Sequence, residues 1–544
     1  MIHTRHFHFD WQISLIGLSA LAGLLITYNR ASAVYQLAII ILGIVLYFFA
    51  SSVPDPVLLR RRQRSLLSGL LIILPLIIAV YFFMTNDWAL WLGKVPALNL
   101  FLRILRRWPL SSIGIGLNPN VVGGALAALL PLQIFALRTT SRWISIPLIA
   151  LTVIALILSQ TRGAWLSLLL VVGMWQLWRA IAARSRNERT ARWLWLGIVI
   201  ILGASLVFVL FGVTSWGDRL LSLGGDRVNI WRNSIDLIGD YPLTGLGLAG
   251  FEMAYSTYVL LLHVGHTMHA HNLWLDMWLN QGLLGFVALA GMVLNAIWPR
   301  ASSRWQTSAL LALGVMLVHS MVDDPYYGYG GVGLFLLFIP LGLLARPSEV
   351  NMAVSHVGRQ RFQPAWLIWG PALICILVGL VIPSGRAVWE ANLGALQQTQ
   401  AELSTYHWPD VPLQDVLRRS GSDGIEIAAQ HYYNSLALDP ANAVANRRLG
   451  QIELARNQYD SACRRLAAAF AANPDQQATR QLLGECAALN ADDAQAVALW
   501  RTVTMEDSQL DLRMWWYQDY LNDQTRTERM RQAISQLRHN DPDL

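Results

Sequence analysis

Charge is scarce in this chain, and cysteine is scarcer. Only 14% of the 544 residues are charged and 54% are hydrophobic, against about 25% charged in soluble domains. That shortage excludes an ordinary soluble protein over most of the length. It is also regional. Long apolar runs dominate residues 12–383, whereas residues 384–544 have an ordinary soluble composition, so Pro383 marks a domain boundary. Three cysteines are too few for a disulfide framework and lack zinc-site spacing. Cys375 lies in an apolar run and reads as packing; Cys463 and Cys486 have the option of meeting, but read as two small core residues. The N-terminus lacks the small-residue cleavage pattern of a signal peptide, so the first apolar run reads as a span that stays. The net charge of +7 does not indicate nucleic-acid binding, because the basic residues sit mostly in short loops between apolar runs.

Eleven apolar runs are candidates to cross a bilayer, which takes about 20 residues. They are roughly 12–28, 33–51, 65–85, 120–137, 143–159, 163–181, 193–213, 273–298, 305–322, 330–345 and 365–383. Every second loop is basic: Arg60 to Arg64, Arg138 and Arg142, Arg179 to Arg192, Arg300 and Arg304, and Arg346 to Arg361. Lys/Arg-rich loops face the cytoplasm. The N-terminus is therefore expected inside, and everything after the eleventh span outside. The predicted fold is all-α: a polytopic membrane protein of about 11–12 spans, then a helical domain.

The outer face carries the polar features. In residues 97–110, Leu98, Phe101, Leu102, Leu105 and Trp108 fall at helical spacing opposite Arg103, Arg106 and Arg107. This reads as an amphipathic helix anchored on membrane lipid, with substrate binding by Arg103 as the alternative. Ser159 to Gly163 join two spans by a tight turn, which sets Arg162 at the boundary, snorkelling or meeting a phosphate. Asn120 opens a span. His319 and Asp323 stand one helical turn apart and are expected to pair with each other or with nearby backbone.

The chain is organised around residues 225–285. This stretch holds Asp226, Arg227, Arg232, His269 and His271, with Gly245, Gly247 and Gly250 after Pro242, inside a large outer loop at 214–272. Arginine is a planar, permanent cation that forks onto phosphate. Near a membrane boundary such groups would stabilise a departing pyrophosphate. A hydroxyl nucleophile needs a base, and His271 stands at the start of a span with His269 expected to point elsewhere. Asp276, five residues on, is poorly spaced for a direct pair with His271. Each feature also has a structural reading: Arg227 and Arg232 pairing with Asp226 and Asp236, the glycines as a turn, the histidines as interfacial residues. The glycine run lacks a dinucleotide site's preceding strand. No helical metal-ligand spacing occurs, so neither metal nor cofactor is expected.

The ordered motifs resemble the O-antigen ligase and polymerase superfamily, which includes bacterial O-linked oligosaccharyltransferases. The matching residues are Arg162-Gly163, then Gly225-Asp226-Arg227 with Trp231, then Pro242 to Phe251. His271-Asn272 with Leu275 and Gly282-Leu283 with Gly285 follow, and Asn120 also fits. The resemblance covers roughly 120–330. It implies metal-independent transfer of a glycan from undecaprenyl pyrophosphate to a hydroxyl on a glycan, lipid or protein, at the outer face of the bacterial cytoplasmic membrane. It also implies pyrophosphate binding by Arg162 and Arg227, acceptor activation by His271, and inversion at the anomeric carbon. Asn280 and Gln281 stand where many members carry an acid, which puts a carboxylate role there in doubt.

Residues 384–544 carry a repeat of 34 residues: Asp439-Pro440 with Asn473-Pro474, Leu449-Gly450 with Leu483-Gly484, and Ala462 with Ala496. That is the tetratricopeptide period, clearest over 425–503. Such a module either binds a protein or glycan partner or caps the outer loop without a ligand. The boundaries predict a glycan-transferase domain at 1–383 and an extracytoplasmic repeat domain at 384–544. The reading from another class is a non-catalytic scaffold or glycan transporter with the repeats as its working end.

Overall fold

The computed structural model describes residues 11–54, 57–85, 118–184, 226–260, 267–297, 303–327, 333–346, 382–404, 414–503 and 507–540. Among them every regular element is a helix. The apolar half contributes α1 (Trp11–Ile26), α2 (Arg30–Ser51), α3 (Val57–Thr85), α4 (Pro119–Ala136), α5 (Arg142–Leu158) and α6 (Arg162–Arg184). The long loop before α9 contributes α7 (Asp226–Asp240) and α8 (Phe251–Leu260); the bundle then resumes with α9 (Leu273–Ile297), α10 (Arg304–His319) and α11 (Phe335–Ala345). Five helices are long and apolar enough to cross a membrane, and α1, α5 and α11 are shorter apolar helices. This is a multi-pass membrane protein. The expected spans at 193–213 and 365–383, and the amphipathic stretch with Arg103, lie outside the described residues.

One continuous core runs through the bundle. Its centre is α4, whose face from Val122 to Leu130 is buried without interruption. Packing is close where side chains are small. A Cβ on Gly342 of α11 would stand 2.6 Å from the Tyr47 carbonyl of α2, the small-residue contact that lets helix backbones approach in a membrane.

Helix α9 is broken at Gly282 (φ 68°, ψ −171°), a left-handed conformation that glycine adopts without steric cost. The break frees backbone groups, and the Pro242–Gly250 loop takes them. Leu246 N–H donates to the Leu279 carbonyl (2.6 Å), and Leu283 N–H to the Leu243 carbonyl (3.2 Å). Trp278 Nε1 donates to the Pro242 carbonyl (2.7 Å), and Ala249 N–H to Asn280 Oδ1 (3.0 Å). Gly245 (φ 67°) leaves no room for a Cβ, which would meet the Leu279 carbonyl at 2.6 Å. The glycine run is thus more than a turn: it plugs a broken helix. Asn280, standing where an acid was sought, holds that loop.

The C-terminal region is α12 (Pro383–Leu403), α13 (Gln414–Ser420), α14 (Asp423–Leu438), α15 (Ala443–Ala455), α16 (Tyr459–Ala472), α17 (Gln477–Leu489), α18 (Asp493–Trp500), α19 (Asp507–Trp515) and α20 (Gln524–Asn540). Helices α15 and α17 begin at Ala443 and Gln477, and α16 and α18 at Tyr459 and Asp493, each 34 residues apart. The helices pair antiparallel, and small residues sit where they cross: Gly450 meets Leu466, and Gly484 meets the Trp500 ring. One expectation is overturned. Cys463 and Cys486 form a disulfide with Cα atoms 5.6 Å apart, joining α16 to α17. Linear spacing hid it, because the helix pairing is what brings the two together.

The C-terminal helices pack on the loop that carries α7 and α8. Helix α15 is buried from Ala445 to Ala455. Its Arg447 and Arg448 both bond Asp240 at the end of α7, Arg448 Nε at 2.8 Å. Arg448 also reaches the Tyr241 hydroxyl at 2.7 Å, and Asn392 of α12 accepts from the Leu243 N–H at 3.0 Å. Burial pushes the Asp240 carboxyl up, but the two guanidiniums outweigh it and hold it below its ordinary value. Asp236, one turn earlier, is pushed up to about 6 by burial and by Asp240. This side of α15 is filled by the chain's own loop.

Candidate active site

The site forms where three chain segments meet. Asn272 caps α9, its Oδ1 accepting from Trp274 N–H (3.0 Å) and Leu275 N–H (3.4 Å). His271 therefore precedes the helix, at φ 53°. A non-glycine residue held in that left-handed region is strained, and its surroundings must hold it there. The second segment is the turn after α10: Ser320 to Tyr327. Leu273 N–H donates to the Ser320 carbonyl (3.1 Å), which registers the two segments. The third is the start of α7, which brings Arg227.

Asp323 joins them. Its Oδ1 lies 3.0 Å from His271 Nδ1 and its Oδ2 3.0 Å from Arg227 Nη2. The other guanidinium arm of Arg227 bonds the Val322 carbonyl. Asp323 is buried (8% exposed), whereas His271 (25%) and Arg227 (36%) keep a solvent face. Burial pushes the Asp323 carboxyl up, but the His271 hydrogen bond and the Arg227 charge hold it below the usual carboxylate range. Asp323 is thus a carboxylate that orients both groups. With Nδ1 facing the carboxylate, Nε2 is the ring nitrogen left free of Asp323.

The His319 and Asp323 side chains do not pair with each other; the two residues are joined through backbone, Asp323 N–H donating to the His319 carbonyl at 3.0 Å. Helix α10 ends at His319, so the spacing of four spans a turn rather than a helix. The His319 ring wedges between α4 and α6 instead, where Cβ atoms on Gly124 and Gly163 would lie 2.8 Å and 3.3 Å from it. Neither ring nitrogen of His319 finds a hydrogen-bond partner among the described residues. His269 is not turned away: its ring centroid lies 4.1 Å from that of His271, because the helix has not begun. Burial, and then His271, push the His269 pKa down to about 3, so it stays neutral.

Arg162 is exposed at the start of α6. Its neighbour Gly163 packs on Val322, the residue whose carbonyl Arg227 holds, so Arg162 stands on the rim of the same cluster. Asn120 belongs to the same end of the bundle: Thr161 Oγ1 donates to the adjoining Pro119 carbonyl at 2.8 Å. Arg232 is exposed on α7. Five residues from Arg227, it projects about 140° around the helix and is not brought to Asp323. Among the described residues neither Arg227 nor Arg232 pairs with Asp236, the structural alternative for them.

The cluster also has a metal-binding aspect that linear spacing could not reveal. His269, His271 and Asp323 each offer one ligand atom, all within 4.8 Å of one another. Arg227 shares the same carboxylate, so a divalent cation there would have to displace a fixed positive charge. Linear reading missed the partnership of Asp323 with His271, since it depends on a contact across 52 residues.

Residues 147–290 match the O-antigen ligase family. An uncharacterized protein of Haemophilus influenzae (strain ATCC 51907 / DSM 11121 / KW20 / Rd) is 27% identical over 168 residues, covering 28% of this chain and 41% of that protein. The match therefore spans less than half of that relative's length. No solved structure matches. Arg162, Arg227 and His271 all lie within the segment, from α5 to the broken α9, that matches the O-antigen ligase family.

Proposed function

We propose that this protein is a membrane glycosyltransferase that moves a glycan from undecaprenyl pyrophosphate to an acceptor hydroxyl at the outer face of the bacterial cytoplasmic membrane. The observation that carries the proposal is Asp323 holding Arg227 and His271 at once. The acceptor oxygen attacks the anomeric carbon and gives its proton to His271 Nε2. The bond from that carbon to the pyrophosphate oxygen breaks, and the anionic lipid pyrophosphate leaves. Arg227, with Arg162 on the rim, stabilises the charge that develops. Asp323 stabilises the imidazolium, as the carboxylate of a serine-protease triad does. A single displacement inverts the anomeric centre.

No step requires a divalent cation, because guanidinium groups supply the positive charge. The acceptor is a lipid-linked glycan or a lipid, giving polymerase or ligase activity. A protein acceptor gains no support from the repeats, since the Arg447–Arg448 side of α15 is occupied by the outer loop. The Cys463–Cys486 disulfide supports an extracytoplasmic C-terminal region, since such bonds persist in oxidising compartments. The test is transfer by the purified full-length chain in detergent, using a lipid-pyrophosphate-linked glycan and separate lipid, glycan and protein acceptors with chelator present. Glycan gain by one acceptor class supports the proposal and names the branch. Donor that stays intact with every acceptor favours the scaffold or transporter reading.

A further inference from the structure

The transfer chemistry uses His271 and Asp323 but leaves His269 without a task. One ring nitrogen from each histidine and one Asp323 oxygen lie within 4.8 Å of one another. On a helix, residues two apart point about 200° from each other. Here the helix has not begun, His271 sits at φ 53°, and the two rings meet with centroids 4.1 Å apart. His271 Nδ1 already lies 3.0 Å from Asp323 Oδ1. That is close to the roughly 3.4 Å between two ligands on a tetrahedral ion with bonds of about 2.1 Å. His269 gives the independent sign of a ligand. It is buried, and its Nδ1 finds no hydrogen-bond partner among the described residues. A buried polar atom left unpaired is destabilising, and a bound ion removes that penalty.

We propose that Zn²⁺ binds at His269, His271 and Asp323 and reversibly shuts off glycan transfer. Two imidazoles and one carboxylate are a donor set that suits zinc, whereas Mg²⁺ and Ca²⁺ take oxygen ligands. Three protein ligands leave the fourth tetrahedral position to water, and the exposed side of His271 is the way in. The metal has no part in the transfer itself. The shut-off rests on the reaction proposed above, in which His271 accepts the proton. A neutral imidazole that binds an ion through one nitrogen carries its proton on the other. Zinc-bound His271 therefore has no nitrogen free to act as base, and Asp323 holds the ion instead of orienting the ring.

Arg227 decides how tightly the ion is held. Its guanidinium bonds Asp323 Oδ2 at 3.0 Å, while Oδ1 is the oxygen that faces His271. An ion on Oδ1 and the guanidinium on Oδ2 are two positive charges on one carboxylate, and they repel. Arg227 is 36% exposed, so its arm has solvent to swing into. Zinc and the Arg227 contact therefore compete for Asp323, which keeps the site weak while Arg227 is in place. The competition gives the proposal a signature of opposite sign at two neighbouring residues.

Calorimetric titration of Zn²⁺ into the untagged full-length protein in detergent reads the site without turnover, and the visible spectrum of Co²⁺ in its place reports tetrahedral coordination. Wild type should bind one zinc per chain. His269→Phe, which keeps the bulk of a ring, should weaken that binding by more than about 100-fold, the upper end of what losing an outer partner of a ligand does. His269→Cys, which keeps a zinc ligand, should retain it. Arg227→Ala should tighten it by at least about tenfold. Wild-type transfer should fall over the same zinc concentrations and return with chelator. For His269→Phe, transfer is read as the ratio with and without zinc in that variant, and the ratio should stay near one. Zinc bound equally by wild type and His269→Phe sits elsewhere among the chain's 12 histidines and overturns the proposal. So does zinc that inhibits both proteins equally, zinc that leaves wild-type transfer unchanged, or weaker binding in Arg227→Ala. A wild type that transfers no glycan even with chelator would overturn the reaction reading and the shut-off with it, while the titration still decides the metal site.

Discussion

Removing Asp240 should loosen the outer loop from the repeats. Asp240 is fully buried against Arg447 and Arg448, themselves 2% and 6% exposed. In Asp240→Leu two buried guanidiniums lose the carboxylate they bond, and breaking a buried pair in this way costs about 3–5 kcal/mol. That is a large share of the roughly 5–15 kcal/mol that holds a domain together. Because α7 carries Arg227 at its other end, the loss should reach the active site. The assay is limited trypsin digestion of the full-length protein in detergent, with thermal unfolding alongside. Asp240→Leu should be cut faster in the outer loop and unfold at a lower temperature. Replacing all three charges, Asp240→Leu with Arg447→Met and Arg448→Met, should restore much of the loss, since an apolar triad has nothing left unpaired. A single variant as resistant as wild type, or a triple variant as weak as the single, would refute the ion-pair reasoning.

Other outcomes follow from the same contacts. Asp323→Asn should lower kcat by about 10²–10⁴-fold with little change in KM, because it misorients His271 without removing Arg227; unchanged kcat would remove Asp323 from the site. Gly282→Ala should disrupt folding or activity, since φ 68° strains any side chain and the new Cβ would strike the Leu243 carbonyl; normal transfer would deny the plugged-helix account. Asp236, raised to about 6, favours the folded form below pH 4, and that contribution fades as pH rises through 6. Asp236→Asn should accordingly raise the unfolding temperature above pH 6, and a lowered one would contradict that sign. Thiol labelling of the denatured, unreduced protein should mark Cys375 but not Cys463 or Cys486. Cys463→Ser should cost the repeats about 2–4 kcal/mol.

Much of this architecture was legible in the chain. Apolar runs located most of the described bundle helices to within a few residues, because bilayer thickness sets their length; α3 starts at Val57, eight residues before its apolar run, and α11 at Phe335, five residues after. The 34-residue period located α15 to α18. The order of Arg162, Arg227 and His271 along the chain pointed to one outer site. What escaped depends on where helices stop. His319 and Asp323 looked like partners at helical spacing, yet α10 ends between them and Asp323 turns to His271. Asp276 does not pair with His271; its carboxylate accepts from the Ala270 N–H instead, a contact made possible because the chain before α9 is not helical. The disulfide lay beyond any local pattern, since only the antiparallel helix pairs bring its cysteines together.

The account turns on Arg227 and His271 having different tasks around one carboxylate. Donor binding and glycan transfer should therefore be measured side by side, with chelator present, for wild type, Arg227→Ala and His271→Ala. The account predicts that Arg227→Ala loses both donor affinity and transfer, while His271→Ala keeps donor affinity and loses transfer by at least about 100-fold. Transfer at wild-type rates in either variant would contradict it.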